Sequence, residues 1–309
     1  MLDGYEALRK GSAWLDLSAR GKIFASGRDR TRLLHNLTTN HIKQLAPGQG
    51  CLAFLLSPQG RIQADVHVFC LEDRFLLDTE PELREKVIQH IRKYIIADDV
   101  KLDDATERLA AIGVEGPAAS AMLADLGLAV PGDEYSTLSW EEQIIARVSA
   151  TGQPALRIYL PAEKKPDLIR RLEAAGAKAA SAEAAQTVRV ENGKPLYGVD
   201  ILDTNLPQET MQMHAIHFEK GCYLGQEIVE RIRARGHVNK TLARLEINSA
   251  TAPTEGTKLV VNGAEVGEIT SAVFSPFVGK VLALGYVRTP HNQPGILLSA
   301  GEETARVLQ

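Results

Sequence analysis

The chain has 309 residues, of which 44% are hydrophobic and 24% charged, with a net charge of −4. These are ordinary globular values, and the weak negative charge leaves no basic field to recruit nucleic acid. The length exceeds what one hydrophobic core organises, so two or three domains are expected.

No apolar run reaches the length of a membrane span. The opening Met1-Leu2-Asp3-Gly4-Tyr5-Glu6 lacks the basic-then-apolar pattern of a signal peptide. Three cysteines, Cys51, Cys70 and Cys222, lie far apart, and no CxxC pair occurs. An odd, scattered set argues for a reducing cytoplasm rather than a disulfide framework.

Along the chain, Ile23 and Phe24 sit in a strand that ends at Ser26-Gly27. Leu33, Leu34 and Leu37 give helical spacing over about residues 29–37, with Asp29 as the cap. Thr38-Thr39-Asn40 and Pro47-Gly48 are breakers. Residues 51–56 are an apolar run and Ser57-Pro58-Gln59-Gly60 is a turn. Ile62, Ala64, Val66, Val68 and Cys70 then alternate with other residues, which predicts a hairpin whose second strand is half-buried. Cys51 and Cys70 are core residues on this reading. A strand at 74–78 follows, then a helix opened by Pro81 that carries Leu83, Val87, Ile88, Ile91 and Ile95, then a strand at 100–102.

A second unit has similar element order without sequence repetition. It comprises a strand at 109–114, a helix from Pro117 to Gly127, strands at 144–148 and 156–160, and a helix through Leu168, Ile169 and Leu172 that ends at Gly176. Strands and helices mixed in this way predict two α+β layers of ferredoxin-like type.

The densest chemistry lies in Lys220-Gly221-Cys222-Tyr223-Leu224-Gly225-Gln226-Glu227. Gly221 and Gly225 permit backbone conformations closed to other residues. Gln226 and Glu227 suit a first helical turn. The stretch therefore reads as a tight loop entering a short helix. A thiol near a helix N-terminus and beside Lys220 is favoured as thiolate, which makes Cys222 a ligand or nucleophile. The alternative is a buried small hydrophobe, the commonest fate of a free cysteine. His214, His217 and Cys222 have metal-ligand types, but a closed structural site needs a fourth ligand and none is evident, so no metal is expected. Arg231, Arg233, Arg235, His237 and Lys240 form either a solvated face or a receptor for an anionic ligand. They lack the interleaved aromatics of an RNA surface.

Short strands at 241–247, 257–261, 264–272, 281–287 and 296–298 close the chain. Asn262-Gly263 between two of them is a type I′ hairpin signal. The pattern predicts a barrel or sandwich.

The octapeptide resembles the signature of the YgfZ-type folate-binding proteins. These are relatives of the glycine-cleavage T-protein, an aminomethyltransferase, and of mitochondrial factors that help mature iron–sulfur proteins. Supporting similarities span nearly the whole chain. They include Leu34-x-Asn36-Leu37-Thr38-Thr39-Asn40, Arg189-x-Glu191-x-Gly193 with Gly198-x-Asp200 and Pro207-x-Glu209, and Gly267-x-Ile269-Thr270-Ser271-Ala272. The resemblance implies a three-domain ring. Residues 1–48 plus 109–238 form the folate-binding core, 49–108 an inserted α+β unit, and 239–309 the C-terminal β-barrel. It also implies tetrahydrofolate as cofactor, with Glu191 on the pterin. A carboxylate can accept both hydrogen bonds from a ring N–H and its neighbouring amino group. Arg231 and Arg233 are then candidates for the folate's carboxylates, and Cys222 with Lys220 for the reactive loop.

Two functions follow from this resemblance. One is a folate-binding accessory factor for iron–sulfur maturation, with transient carrier or target proteins as partners, no direct nucleic-acid or membrane binding, and a monomeric state. The other is a folate-dependent one-carbon transferase. The T-protein family has paired aspartates after the Gly60 turn, whereas this chain has Gln63-Ala64 followed by Asp65. Side chains alternate along a strand, and the displaced Asp65 is expected on the face opposite Gln63. Gln63 cannot ionise, so transferase chemistry is disfavoured and the accessory factor is the expectation.

Overall fold

The protein is described by a computed structural model over residues 2–308. From the N-terminus come α1 (Tyr5–Lys10), β1 (Ala13–Asp16), β2 (Gly21–Ser26) and α2 (Arg30–Leu37). The hairpin β3 (Gly50–Leu56) and β4 (Ile62–Cys70) follows, then β5 (Phe75–Thr79), α3 (Arg84–Arg92) and β6 (Lys101–Asp104). The second unit runs β7 (Leu109–Glu115), α4 (Ala119–Asp125), β8 (Thr137–Trp140), β9 (Gln143–Ala146), β10 (Ala155–Pro161), α5 (Lys165–Ala174) and β11 (Lys178–Ala179). Helices α6 (Ala182–Glu191) and α7 (Gln226–Arg235) flank a long irregular stretch. Six strands end the chain: β12 (Lys240–Ile247), β13 (Lys258–Val261), β14 (Ala264–Ser275), β15 (Lys280–Arg288), β16 (Leu297–Ala300) and β17 (Glu303–Val307).

These strands make a five-stranded antiparallel sheet, β3-β4-β5-β2-β6, and a six-stranded sheet, β11-β1-β7-β10-β9-β8. The last six close into a barrel. The two open sheets lie face to face. Leu33, Leu34 and Leu37 of α2 and Val87, Ile88 and Ile91 of α3 share one core with Ala64, Val66 and Val68. Leu123 of α4 and Leu168 and Leu172 of α5 cover the outer face of the second sheet. Between the sheets, Phe24, Phe69 and Leu76 of the first pack with Ala111, Ala146 and Tyr159 of the second. Strands β5 and β10 are buried on both faces and largely apolar, Asp78 and Arg157 apart.

This is the expected α+β class with a C-terminal barrel, but the first boundary differs. Residues 1–48 do not stay together. Strand β1 pairs with β7, so residues before about 17 belong to the second sheet. Strand β2 sits between β5 and β6, in register Gly21↔Thr79 and Ile23↔Asp104. The inserted unit cannot close its sheet without β2, and α2 goes with it because its leucines share that core. The type I′ hairpin is present: Asn262 and Gly263 have φ of 51° and 79°.

Candidate functional site

Where the facing sheets part, they leave a cavity of about 530 Å³. Its apolar wall includes Trp14, Leu15, Leu17 and Leu52, and its polar wall Arg20, Asp65, His67, Arg157, Gln186, Arg189 and Lys194. A concave, largely apolar space with a few convergent polar groups is the usual form of a small-molecule site.

Three of the arginines are already committed. Asp78, fully buried, accepts Arg20 Nε at 2.7 Å, an Arg157 guanidinium N–H at 2.9 Å and the Tyr159 hydroxyl at 2.5 Å. Burial alone would raise this carboxyl, but Arg157 and Arg20 outweigh it and hold it well below the ordinary range. Arg20 also pairs with Glu80, and Arg189 with Asp200 at 2.6 Å. Because Arg157 and Tyr159 come from β10 and Asp78 from β5, this network ties the two sheets together behind the cavity.

Asp65 and His67 reach the cavity from β4. The even-numbered residues Ala64, Val66 and Val68 enter the core beneath α2 and α3, so the odd-numbered ones point the other way. Residues two apart on a regular strand share a face, so the displacement alone does not set Asp65 opposite Gln63; here the register shifts at Gln63, with Leu55 opposite Ala64 and Leu56 opposite Ile62. Among the described residues, no other side chain hydrogen-bonds or ion-pairs with the Asp65 carboxyl, which meets its own backbone amide. Burial, with Glu80 adding to it, pushes its pKa up to about 7. Burial likewise pushes His67 down to about 4, so it is neutral at physiological pH.

The octapeptide lies elsewhere. Cys222 is exposed on the loop before α7, while Cys51 and Cys70 are buried. Gly225 begins that helix with φ 82°, and a Cβ there would meet the Ser57 carbonyl oxygen at 2.6 Å. Only glycine lets the loop close on the β3–β4 turn in this conformation. Leu224 N–H donates to the Asn36 carbonyl at 2.9 Å. Lys220 is buried, and its ammonium donates to the carbonyls of His35 and Thr38 at the C-terminal end of α2. His35 Nε2 meets the Lys220 carbonyl at 3.0 Å. Burial lowers the Lys220 pKa to about 7.

None of the five residues singled out from the sequence lines the cavity. Lys220 is not a partner of the Cys222 sulfur, because its ammonium is spent on α2, whose orphan carbonyls need a donor. Arg231 and Arg233 lie on the exposed face of α7. Arg231 pairs with Glu227 at 2.7 Å, and Arg233 approaches Glu230 at 3.6 Å and stacks on Phe218. Glu191 is buried, but on the far side of α6. The helix presents Ala182, Ala185, Gln186 and Arg189 to the cavity, and two residues beyond Arg189 is about 200° round the helix. There Glu191 Oε1 accepts the Tyr5 hydroxyl at 2.5 Å and the Ser275 hydroxyl at 2.6 Å, joining α1, α6 and the barrel. Burial and this bond raise the Tyr5 pKa to about 12. His214, His217 and Cys222 form no metal-holding cluster among the described residues.

Residues 2–220 match the model of the GCVT N-terminal domain, and residues 240–301 that of the glycine cleavage T-protein C-terminal barrel domain. The chain belongs to the glycine-cleavage T-protein family. An aminomethyltransferase of Rubrobacter xylanophilus is 30% identical over 98% of this chain and 84% of its own length. One of Herpetosiphon aurantiacus is 28% identical over 92% and 81%. The crystal structure of the glycine cleavage system aminomethyltransferase T of Bartonella henselae superposes with a TM-score of 0.92 at 21% identity, covering 99% of this chain and 87% of that one. It shares the fold.

Within this T-protein fold, the cavity residues that the sequence reading did not place in the site are Asp65, which it weighed only as a displaced aspartate, His67, Arg157, Gln186 and Lys194. Alternation along residues 62–68 carried the signal for the first two. Arg157 was concealed in an apolar strand, and Lys194 in a turn. No helix among the described residues is long and apolar enough to cross a membrane.

Proposed function

We propose that this T-protein family member is a tetrahydrofolate-binding accessory factor for the maturation or repair of iron–sulfur proteins. It acts in the cytoplasm through the Cys222 loop, as a monomer with transient carrier or target proteins as partners. The observation that carries the reading is the contrast among the thiols. Cys51 and Cys70 are sealed in cores, whereas Cys222 is exposed on a loop anchored to α2 and to the β3–β4 turn. A cluster takes about four protein ligands, so a single exposed cysteine requires a partner that supplies the others.

The cavity residues fit a reduced folate. Asp65 has a carboxyl suited to a ring N–H beside an amino group. Trp14 Nε1 and Arg157 Nε are buried donors without partners, and both side chains line the cavity. Asp65 thus takes the pterin role expected of Glu191. Cys222→Ser should leave folding and tetrahydrofolate binding intact while abolishing rescue of a strain deficient in iron–sulfur enzymes. Full rescue by the serine variant would overturn the reading.

A second reading, a folate-dependent aminomethyltransferase, draws on Asp65 and on the names of the relatives. Tetrahydrofolate, when bound, would accept the one-carbon unit. A carboxyl with pKa near neutrality is suited to move a proton at physiological pH. Turnover of an aminomethyl donor by the wild type, abolished by Asp65→Asn, would place this reading first.

A further inference from the structure

Among the charged side chains of the cavity wall, Arg20, Arg157 and Arg189 are neutralised by Asp78, Glu80 and Asp200. Lys194 is different. Its ammonium makes no hydrogen bond or ion pair among the described residues. Its backbone is nonetheless fixed: the amide donates to the Arg189 carbonyl at 2.9 Å, and the carbonyl accepts the Arg189 guanidinium at 3.0 Å.

The side chain also stands at a junction. A second cavity, of about 330 Å³, is lined by Glu134, Tyr135, Arg147, Ser149, Gln153 and Lys194, among others. Lys194 and Ser149 belong to both cavities, so the two share a wall. Beyond Lys194 the second cavity is polar; its lining carries Arg147 and Glu134, one charge of each sign, so Lys194 leaves it net positive. On the near side lie Trp14, Leu15 and Leu17. A space with an apolar, ring-accepting body and an unpaired cation at one end matches a ligand with an aromatic head and an anionic tail.

We propose that Lys194 anchors a carboxylate of the ligand held in the central cavity, at the point where that cavity meets the second. The assignment rests on the tetrahydrofolate reading and adds the residue that holds the tail. Lys194 is only partly buried, and its ammonium is a cation that no protein group neutralises, open to an arriving anion. Burial lowers the Lys194 pKa, with Glu115 and Asp65 opposing it only at a distance. An incoming carboxylate would restore a charge-assisted hydrogen bond, the strongest kind available to lysine. The arginines of α7 are then not needed for the tail.

The experiment is calorimetric titration of the full-length protein with tetrahydrofolate and with 6-methyltetrahydropterin, which has the same head and no tail. The wild type should bind tetrahydrofolate more tightly. Lys194→Met should weaken tetrahydrofolate about tenfold or more, the scale of one charge-assisted contact, and leave the tail-less pterin unchanged. Lys194→Arg should retain most of the affinity. Reductive methylation of wild-type Lys194, followed by mass spectrometry, gives an independent reading should the variant fold poorly. Tetrahydrofolate should protect the amine and 6-methyltetrahydropterin should not. Equal weakening of both ligands, an unchanged tetrahydrofolate affinity, or equal protection would overturn the anchor while leaving the folate reading standing. Binding of neither ligand by the wild type would overturn the folate reading, and the anchor with it.

Discussion

Lys220 and His35 hold each other reciprocally: the ammonium of Lys220 donates to the His35 carbonyl, and the His35 ring meets the Lys220 carbonyl. The loop that presents Cys222 is thereby fastened to the end of α2 from both sides. Lys220 is a positioning residue, and its removal should be felt first in the loop.

Lys220→Met leaves the carbonyls of His35 and Thr38 without their donor, which should cost about 1–3 kcal/mol. Urea unfolding measures it. The pH dependence follows from a folded-state pKa of about 7 against the ordinary 10.5. Between these values the unfolded chain binds a proton that the folded one does not, so stability rises with pH across that window. The methionine variant should lose that rise.

Asp65 gives the opposite slope. Its carboxyl titrates at about 7 in the folded protein against 3.8 when free. The folded state holds the extra proton in between, so stability falls as pH rises through this range and levels off above it. Asp65→Asn should match the wild type in acid and exceed it at pH about 8, when unfolding is followed without ligand. A variant no more stable than wild type at the higher pH would mean that the carboxylate is better solvated than its burial implies.

The three thiols should separate cleanly. In the folded state a thiol reagent should modify Cys222 alone, and Cys51 and Cys70 should react only on unfolding, since both lie in the core under α2 and α3. Burial pushes the Cys51 thiol up to about 12, which slows it further. Cys222→Ser should change stability by less than about 0.5 kcal/mol, as exposed substitutions do. Fast modification of two thiols would refute the assignment.

Glu191→Gln tests the clamp between α1, α6 and the barrel. It weakens the bonds from Tyr5 and Ser275 and should cost about 1–3 kcal/mol of stability. Tetrahydrofolate affinity, measured by titration, should stay within a factor of about two, well under one charge-assisted contact. A large loss of affinity with unchanged stability would return Glu191 to the ligand.

Much of the fold was written in local pattern. Leu33, Leu34 and Leu37 marked α2, the alternation of Ile62 to Cys70 marked β4, and Asn262-Gly263 marked its turn. What local pattern does not carry is which sheet an element joins. Strand β2 reads alike whether it pairs with β5 or with β7, and only the long-range register decides. The site suffered from the same limit. Glu191 and Arg189 are two residues apart, yet the turn of α6 sends the first to Tyr5 and Ser275 and the second to Asp200, Ser271 and the cavity wall. Lys220 looked like a neighbour of Cys222 because adjacency in sequence says nothing of where a long side chain ends. The burial of Cys51 and Cys70 was legible from their apolar strands, whereas the glycine-flanked loop left exposure and burial of Cys222 both open.

The bond from the Phe277 amide to the Tyr5 hydroxyl, 3.2 Å long, joins residues 272 positions apart. During synthesis, domains generally fold as units from the N-terminus onward. Tyr5 can meet Glu191 once α6 has left the ribosome, but Ser275 and Phe277 arrive only with the hairpin of β14 and β15. Arg244, which donates to the Glu191 carbonyl at 2.7 Å, arrives between them. Until then a nascent chain holds an acid and a phenol against each other with one flank open to water. The clamp is therefore a late checkpoint in biogenesis, and a polypeptide halted before residue 275 should expose α1 and α6 to proteases that the finished molecule resists.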